Sequence, residues 1–283
     1  MATDIIELLG FIAVAFAVVL LAKIVRDKVF SLAGYELNDL ISVKDNVAAA
    51  TEQTGYLFGV VLGFLGAIVV PSDAQGFIAV AEAIAIAGCL TILLQLIADF
   101  LSDKLIFRGI QDRIEIFQNA NLALALGKAS VSIATGLMIQ GSLSDADSTI
   151  VACIVWFVIG QLIMVVACLI YQKLTPYDDL AEISSGNIAA SLPIVGIILA
   201  SGLIMEGAMR GGYESFADDG IAILQYSGVS LVMVFVIRIF TDRLLLPKGN
   251  LSDEIVQDKN VGAGLLEGAS FVIAALIVSY FLT

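Results

Sequence analysis

Residues 44–70 read KDNVAAATEQTGYLFGVVLGFLGAIVV, and the reading of that stretch decides the fold. It opens on a charged flank and Asn46, runs through small residues, carries Glu52 and Gln53, and ends in a long apolar run. A helix in water would leave Glu52 and Gln53 in solvent. The run behind them, however, has the length needed to cross a bilayer, where polar side chains require partners.

The whole chain favours the bilayer. Of its 283 residues 59% are hydrophobic and only 14% charged, with a mean hydropathy of +0.99. Too little polar surface remains to cover a water-soluble core. Apolar spans fall at 5–25, 46–70, 76–100, 121–141, 149–171, 187–209, 220–241 and 260–282. The first lacks a basic leader and a small-residue cleavage site, so it reads as a retained helix. The expected fold is therefore all-α and integral to the membrane, with eight transmembrane helices.

Composition also excludes chemistry. Histidine is absent, which removes the usual general base and the commonest zinc or haem ligand. Cys89, Cys153 and Cys168 all lie in apolar runs. The last two share one expected helix at about 22 Å, beyond disulfide reach. No metal or cofactor motif is present, and no enzyme is expected. A net charge of −13 excludes nucleic acid as a partner.

Basic residues set the orientation. Twelve of the 14, Arg26, Lys104, Arg108 and Arg113 among them, lie in or beside the long connections after the odd-numbered spans. Those connections are expected in the cytoplasm, with both termini outside. In the second connection Ile106, Ile110, Ile114 and Phe117 recur at helical spacing. That stripe suits either the inner membrane surface or packing under neighbouring spans.

Self-comparison extends the opening motif. The even-numbered spans begin DNVAAATEQTG, ANLALALGKAS, GNIAASLPIVG and KNVGAGLLEGA, aligning Asn46, Asn121, Asn187 and Asn260. A small residue returns four places on, at Ala50, Ala125, Ser191 and Gly264. Asparagine is a leading N-cap, and small residues let a second backbone approach. Gly55, Gly59 and Gly63 continue that surface in the second span, as do Gly264 and Gly268 in the last. Four parallel two-helix repeats with amphipathic cytoplasmic connectors follow, grouped as halves 1–142 and 143–283. Four helix N-termini meeting at the inner face would also attract an anion through their positive dipole ends; caps plus packing explain the pattern without one.

The repeated asparagine box, with the acidic-aliphatic approach of Glu115-Ile116, Glu182-Ile183 and Glu254-Ile255, resembles the bacterial inner-membrane family catalogued as domain of unknown function 350, also called YjfL-like proteins. The resemblance covers the whole chain as two tandem four-helix copies. Leu124 stands where other boxes have Ala, and Pro193 interrupts the third. The resemblance implies a cell-membrane protein, in some members encoded near membrane-stress factors or polyamine-linked enzymes. It carries over no catalytic residue.

One layer of polar residues remains. Glu52 and Gln53 stand six and seven places after their asparagine; Lys128 and Glu267 stand seven after theirs. That depth is about 10 Å inside each helix start. Lys128 with Glu52, Glu267 or both forms a candidate network, either an ion pair pinning the repeats or a cation-handling layer. Pro193 is the one candidate helix break within a span. Two functions follow: ion or small-solute permeation, or a non-catalytic scaffold or accessory subunit, as in envelope stress. Expected partners are the lipid bilayer and, at the cytoplasmic face, a second copy or a membrane-associated protein.

Overall fold

The computed structural model describes residues 2–68, 76–144, 149–210, 215–240, 243 and 250–282. Among them are helices and no strand. Six helices are long and apolar enough to cross a membrane: α1 (Ala2–Leu32), α4 (Phe77–Leu105), α6 (Leu122–Ser142), α7 (Ile150–Leu174), α9 (Ile188–Met209) and α12 (Val261–Leu282). Two further long helices, α3 (Val47–Leu65) and α10 (Phe216–Phe240), are not among those six. In α3 the polar Glu52 and Gln53, with Thr51 and Thr54, dilute the apolar content of only 19 residues.

Four six-residue helices precede the asparagine boxes: α2 (Leu37–Ser42), α5 (Asp112–Phe117), α8 (Asp179–Ser184) and α11 (Leu251–Val256). The stripe expected on one connector helix is broken. Helix α4 ends at Leu105, Gly109 turns the chain at φ +85°, and α5 starts only at Asp112. Ile106 and Phe117 are buried and Ile110 packs on the core, which leaves only Ile114 exposed. The stripe packs beneath the spans.

The long helices form two layers. In one, α3 packs on α6, α6 on α9 and α9 on α12, so four helices stand in a row. In the other, α4 fills the groove between α3 and α6, α7 that between α6 and α9, and α10 that between α9 and α12, while α1 flanks α3 and α4. The middle of the row is most enclosed: 78% of the apolar window of α6 is buried and 72% of that of α9, against 11% for α1. Exposed Ile6, Phe16 and Leu20 on α1 face the lipid.

Glycine sets the row's spacing. A methyl group on Gly59 would collide with the Ser132 carbonyl, and one on Gly264 with the Ala189 carbonyl. Gly55 likewise abuts Ala129, and Gly268 abuts Leu192, whereas Gly63 faces the Thr91 side chain of the other layer. Pro193 does not break α9, which runs uninterrupted through it.

Each asparagine begins its helix in the same way. Asn46 accepts from the Ala49 N–H at 2.9 Å, Asn121 from Leu124 at 3.1 Å, and Asn187 from Ala189 at 3.0 Å. Asn260 accepts from Gly262 at 3.0 Å and Ala263 at 3.3 Å. The preceding residue is left-handed in all four: Asp45 (φ +50°), Ala120 (+52°), Gly186 (+82°) and Lys259 (+47°). Glycine adopts that conformation freely and aspartate tolerates it, so the strain, about 1 kcal/mol or more each, falls on Ala120 and Lys259.

The amides of the first three caps also reach forward along the row. Asn46 Nδ2 donates to the Ile116 carbonyl at 2.9 Å, Asn121 Nδ2 to Ile183 at 2.9 Å, and Asn187 Nδ2 to Ile255 at 2.9 Å. One side chain thus satisfies an orphan N–H at the start of its own helix and an orphan carbonyl at the end of the next short helix.

Candidate functional site

The densest polar feature of the interior is built by α1, α3, α4 and α6. Helix α1 overruns the expected first span by two turns and carries Arg26 inside, 1% exposed. Its guanidinium lies between two rings, 4.7 Å from the centroid of Phe30 and 4.6 Å from that of Tyr56. Arg26 Nη2 donates to Glu52 Oε1 at 2.7 Å and Nη1 to Asp99 Oδ2 at 3.3 Å. Stacking and forked donation together fix the plane of the group.

Asp99 is the bridge. Its second oxygen, Oδ1, meets Lys128 Nζ at 2.6 Å. Lys128 is buried and does not extend its amine to the membrane surface; Nζ also donates to Ser102 Oγ at 3.0 Å, to the Asp99 carbonyl at 3.1 Å and to Asp103. The result is a chain of alternating charge: Glu52, Arg26, Asp99, Lys128, Asp103.

Three carboxyl groups share two directly paired cations. Its two ends differ. The Asp103 side chain is 24% exposed and lines a surface pocket of about 480 Å³, with Lys104, Arg108, Gln111, Asp112 and Arg113 around it. At the other end Glu52 is buried beside Gln53, whose amide oxygen and nitrogen both lack a protein partner. Tyr56 Oη and Arg26 Nε are also buried without one. Groups of this kind bind ordered water or a polar ligand.

The expected polar layer is therefore divided. Lys128 pairs with Asp99 and Asp103, not directly with Glu52 or Glu267, and Glu52 joins the cluster through Arg26. Glu267 shares the depth of Lys128 but belongs to the far end of the row. It is fully buried and accepts from Tyr171 Oη at 3.1 Å, and the Tyr171 ring meets Phe271 edge-on. Depth along a helix was readable from the asparagine count; the direction in which each residue faces was not.

Sequence reasoning passed over Arg26, Asp99 and Asp103. The sequence groups Arg26 with the basic residues of the long connections, yet the side chain is buried in the bundle. The signal lay upstream: Asp99 stands 22 residues before Asn121 and Arg26 stands 20 before Asn46, one depth on neighbouring helices. Counting backward from each asparagine as well as forward would have matched them to Lys128 and Glu52. The same count relates Gln95 and Gln161, each 26 residues before its asparagine. Gln95 donates to the Ser132 carbonyl at 2.8 Å and Gln161 to Thr135 Oγ1 at 2.9 Å, tying the two layers together.

Among the described residues no group of three or more acidic or cysteine side chains could hold a metal ion, and the three cysteines are free thiols.

Comparison with known proteins gives two matches. The family model described as Domain of Unknown Function (DUF350) matches residues 1–143 and again residues 146–282. A "UPF0719 transmembrane protein" of Aquifex aeolicus (strain VF5) is 26% identical over 187 residues, covering 64% of this chain and 69% of that relative. No solved structure matches.

Proposed function

Because the chain belongs to the DUF350 family and carries that family's unit twice, we propose that it is a bacterial inner-membrane ion-handling protein, moving protons or a small monovalent cation. In this reading α3 and α10 also cross, giving eight spans in four parallel two-helix repeats, halves 1–142 and 143–283. The short-helix connectors lie in the cytoplasm and both termini outside.

The observation that carries it is the charge count of the buried cluster. A cluster serving only as a clamp does best when balanced, since an unpaired buried charge costs several kcal/mol. Here three carboxyls face two cations, and Asp103 opens to the surface pocket. A proton on one carboxyl would leave two carboxylates for the two cations paired with them, and the pocket, ringed also by Lys104, Arg108, Asp112 and Arg113, opens Asp103 to the surface.

The test is flux in proteoliposomes under imposed proton, sodium and potassium gradients. Protein-dependent flux is expected, falling at least tenfold on Glu52→Gln or Asp103→Asn. Flux equal to that of empty liposomes under all three gradients overturns the reading.

A second reading, a non-catalytic scaffold or accessory subunit, is favoured by the close backbone contacts along the row, such as Gly59 with Ser132. They bring neighbouring backbones together where a solute path between row helices would need space. It expects a partner crosslinked at the cytoplasmic face and lost on Ile114→Glu; stable purification with no partner from native membranes counts against it.

A further inference from the structure

The forward-reaching asparagines leave one donor over at one end of the row and one pair of acceptors over at the other. A side-chain amide has two N–H donors. Asn121 gives them to its own Glu115 at 3.4 Å and to the next unit's Ile183 carbonyl at 2.9 Å. Asn187 gives them to Glu182 at 2.8 Å and to Ile255 at 2.9 Å. Asn260, exposed on α12, donates to its own Glu254 at 2.7 Å, and among the described residues no backbone carbonyl takes its second hydrogen.

The first unit holds the matching acceptors. Ile41 and Ser42 precede Asn46 by five and four positions, as Ile116 and Phe117 precede Asn121. The Ile116 and Phe117 carbonyls accept from Asn46 at 2.9 and 3.3 Å. Among the described residues nothing donates to the carbonyls of Ile41 and Ser42; Ser42 is exposed and Ile41 half-buried.

We propose that a second copy of this chain docks head to tail, with Asn260 of one copy clasping the Ile41 and Ser42 carbonyls of the next. The contact continues an interface already made three times inside the chain, with one register: Gly55 meets Ala129, and at the equivalent positions Gly196 meets Gly268. Between copies that register brings Ala269 against Thr54, both small and at least partly exposed. Nearer the outer face the match ends. Ile273 and Tyr280 on α12 occupy the places held by Gly59 on α3 and by Gly66 just after it. The copies therefore touch through their cytoplasmic halves and associate more weakly than the units within a chain. A contact of this heterologous kind propagates into rows or closes into rings.

Cysteine pairs test it in native membranes, with Cys89 replaced by serine throughout. Thr54→Cys with Ala269→Cys, which leaves the asparagine amide in place, should give, on oxidation, a ladder at two, three and more chain masses, while each single variant stays at the mass of one chain. The internal counterpart in the same register, Ser130→Cys with Val195→Cys, should instead close within one chain. A single-chain band from the first pair overturns the proposal, as does a dimer from Ala269→Cys alone, which would mean a face-to-face contact. Independently, photobleaching of tagged chains in native-membrane discs should show more than one copy per disc. Asn260→Ser keeps a capping oxygen but removes the amide, and should reduce discs to single copies. Single copies in the parent protein overturn the proposal.

Discussion

Replacing Lys128 with methionine tests whether this lysine is a buried partner or one that could equally reach the surface. Methionine fills a similar volume, so the change removes charge and hydrogen bonds with little loss of packing. Lys128 Nζ holds Asp99, Asp103, Ser102 and one backbone carbonyl. Its loss leaves Glu52, Asp99 and Asp103 with Arg26 alone. Removing one partner of a buried pair costs about 3–5 kcal/mol, in line with about 4 kcal/mol for unit charges 4 Å apart at an effective dielectric of 20. At about 2–4 °C per kcal/mol, the Tm should fall by at least about 6 °C. The assay is thermal unfolding of the detergent-purified protein, followed by loss of the monodisperse chromatographic peak. Adding Asp103→Asn removes the carboxylate that Lys128 no longer balances. The double variant should recover about 2 kcal/mol, a coupling that independent sites would not show. A Lys128→Met protein within about 1 °C of the parent refutes the buried network. A double variant no more stable than the single one refutes the pairing with Asp103.

Other expectations follow from the caps and the row. Ala120→Gly should raise stability by about 1 kcal/mol by relieving a left-handed alanine, an increase of about 2–4 °C in the same assay. Asn187→Ala removes a cap and strands the Ile255 carbonyl, so it should cost about 2–4 kcal/mol. Asn260→Ala, measured on dispersed single chains, removes a cap alone and should cost about 1 kcal/mol. Equal losses for the two would contradict the forward clasp. Gly59→Val should break the row, with loss of the monodisperse peak, because its methyl groups meet the Ser132 backbone. Gly228→Ala, with open space around it, should be neutral or stabilising.

Much of this architecture was legible because the membrane restricts what a sequence can mean. An apolar run near Asn121 or Asn187 has to be a helix, and its first N–H groups have to find acceptors. The repeated asparagine could therefore be read as a cap from local chemistry alone. Its second role, clasping a carbonyl 62 to 70 residues away, depends on which unit stands beside which, and spacing does not encode that. The charged cluster was half visible for a related reason. Glu52 and Lys128 stand out because they interrupt apolar sequence, whereas Arg26 sits in a basic flank where orientation rules already account for it. Asp99, near the end of its span, was likewise unremarkable in sequence. What brings these residues together is the length of α1, which continues to Leu32 and carries Arg26 past the expected end of the first span.

The forward clasp also gives the chain an order of assembly during synthesis. Asn46 finds its carbonyl only after residue 116 has been made, Asn121 waits for residue 183, and Asn187 for residue 255. Each unit leaves the ribosome with its lateral edge open and is sealed by the one translated next. A nascent chain arrested after α9 would present Asn187 as an unsealed edge, a feature that membrane quality control could distinguish from the finished protein.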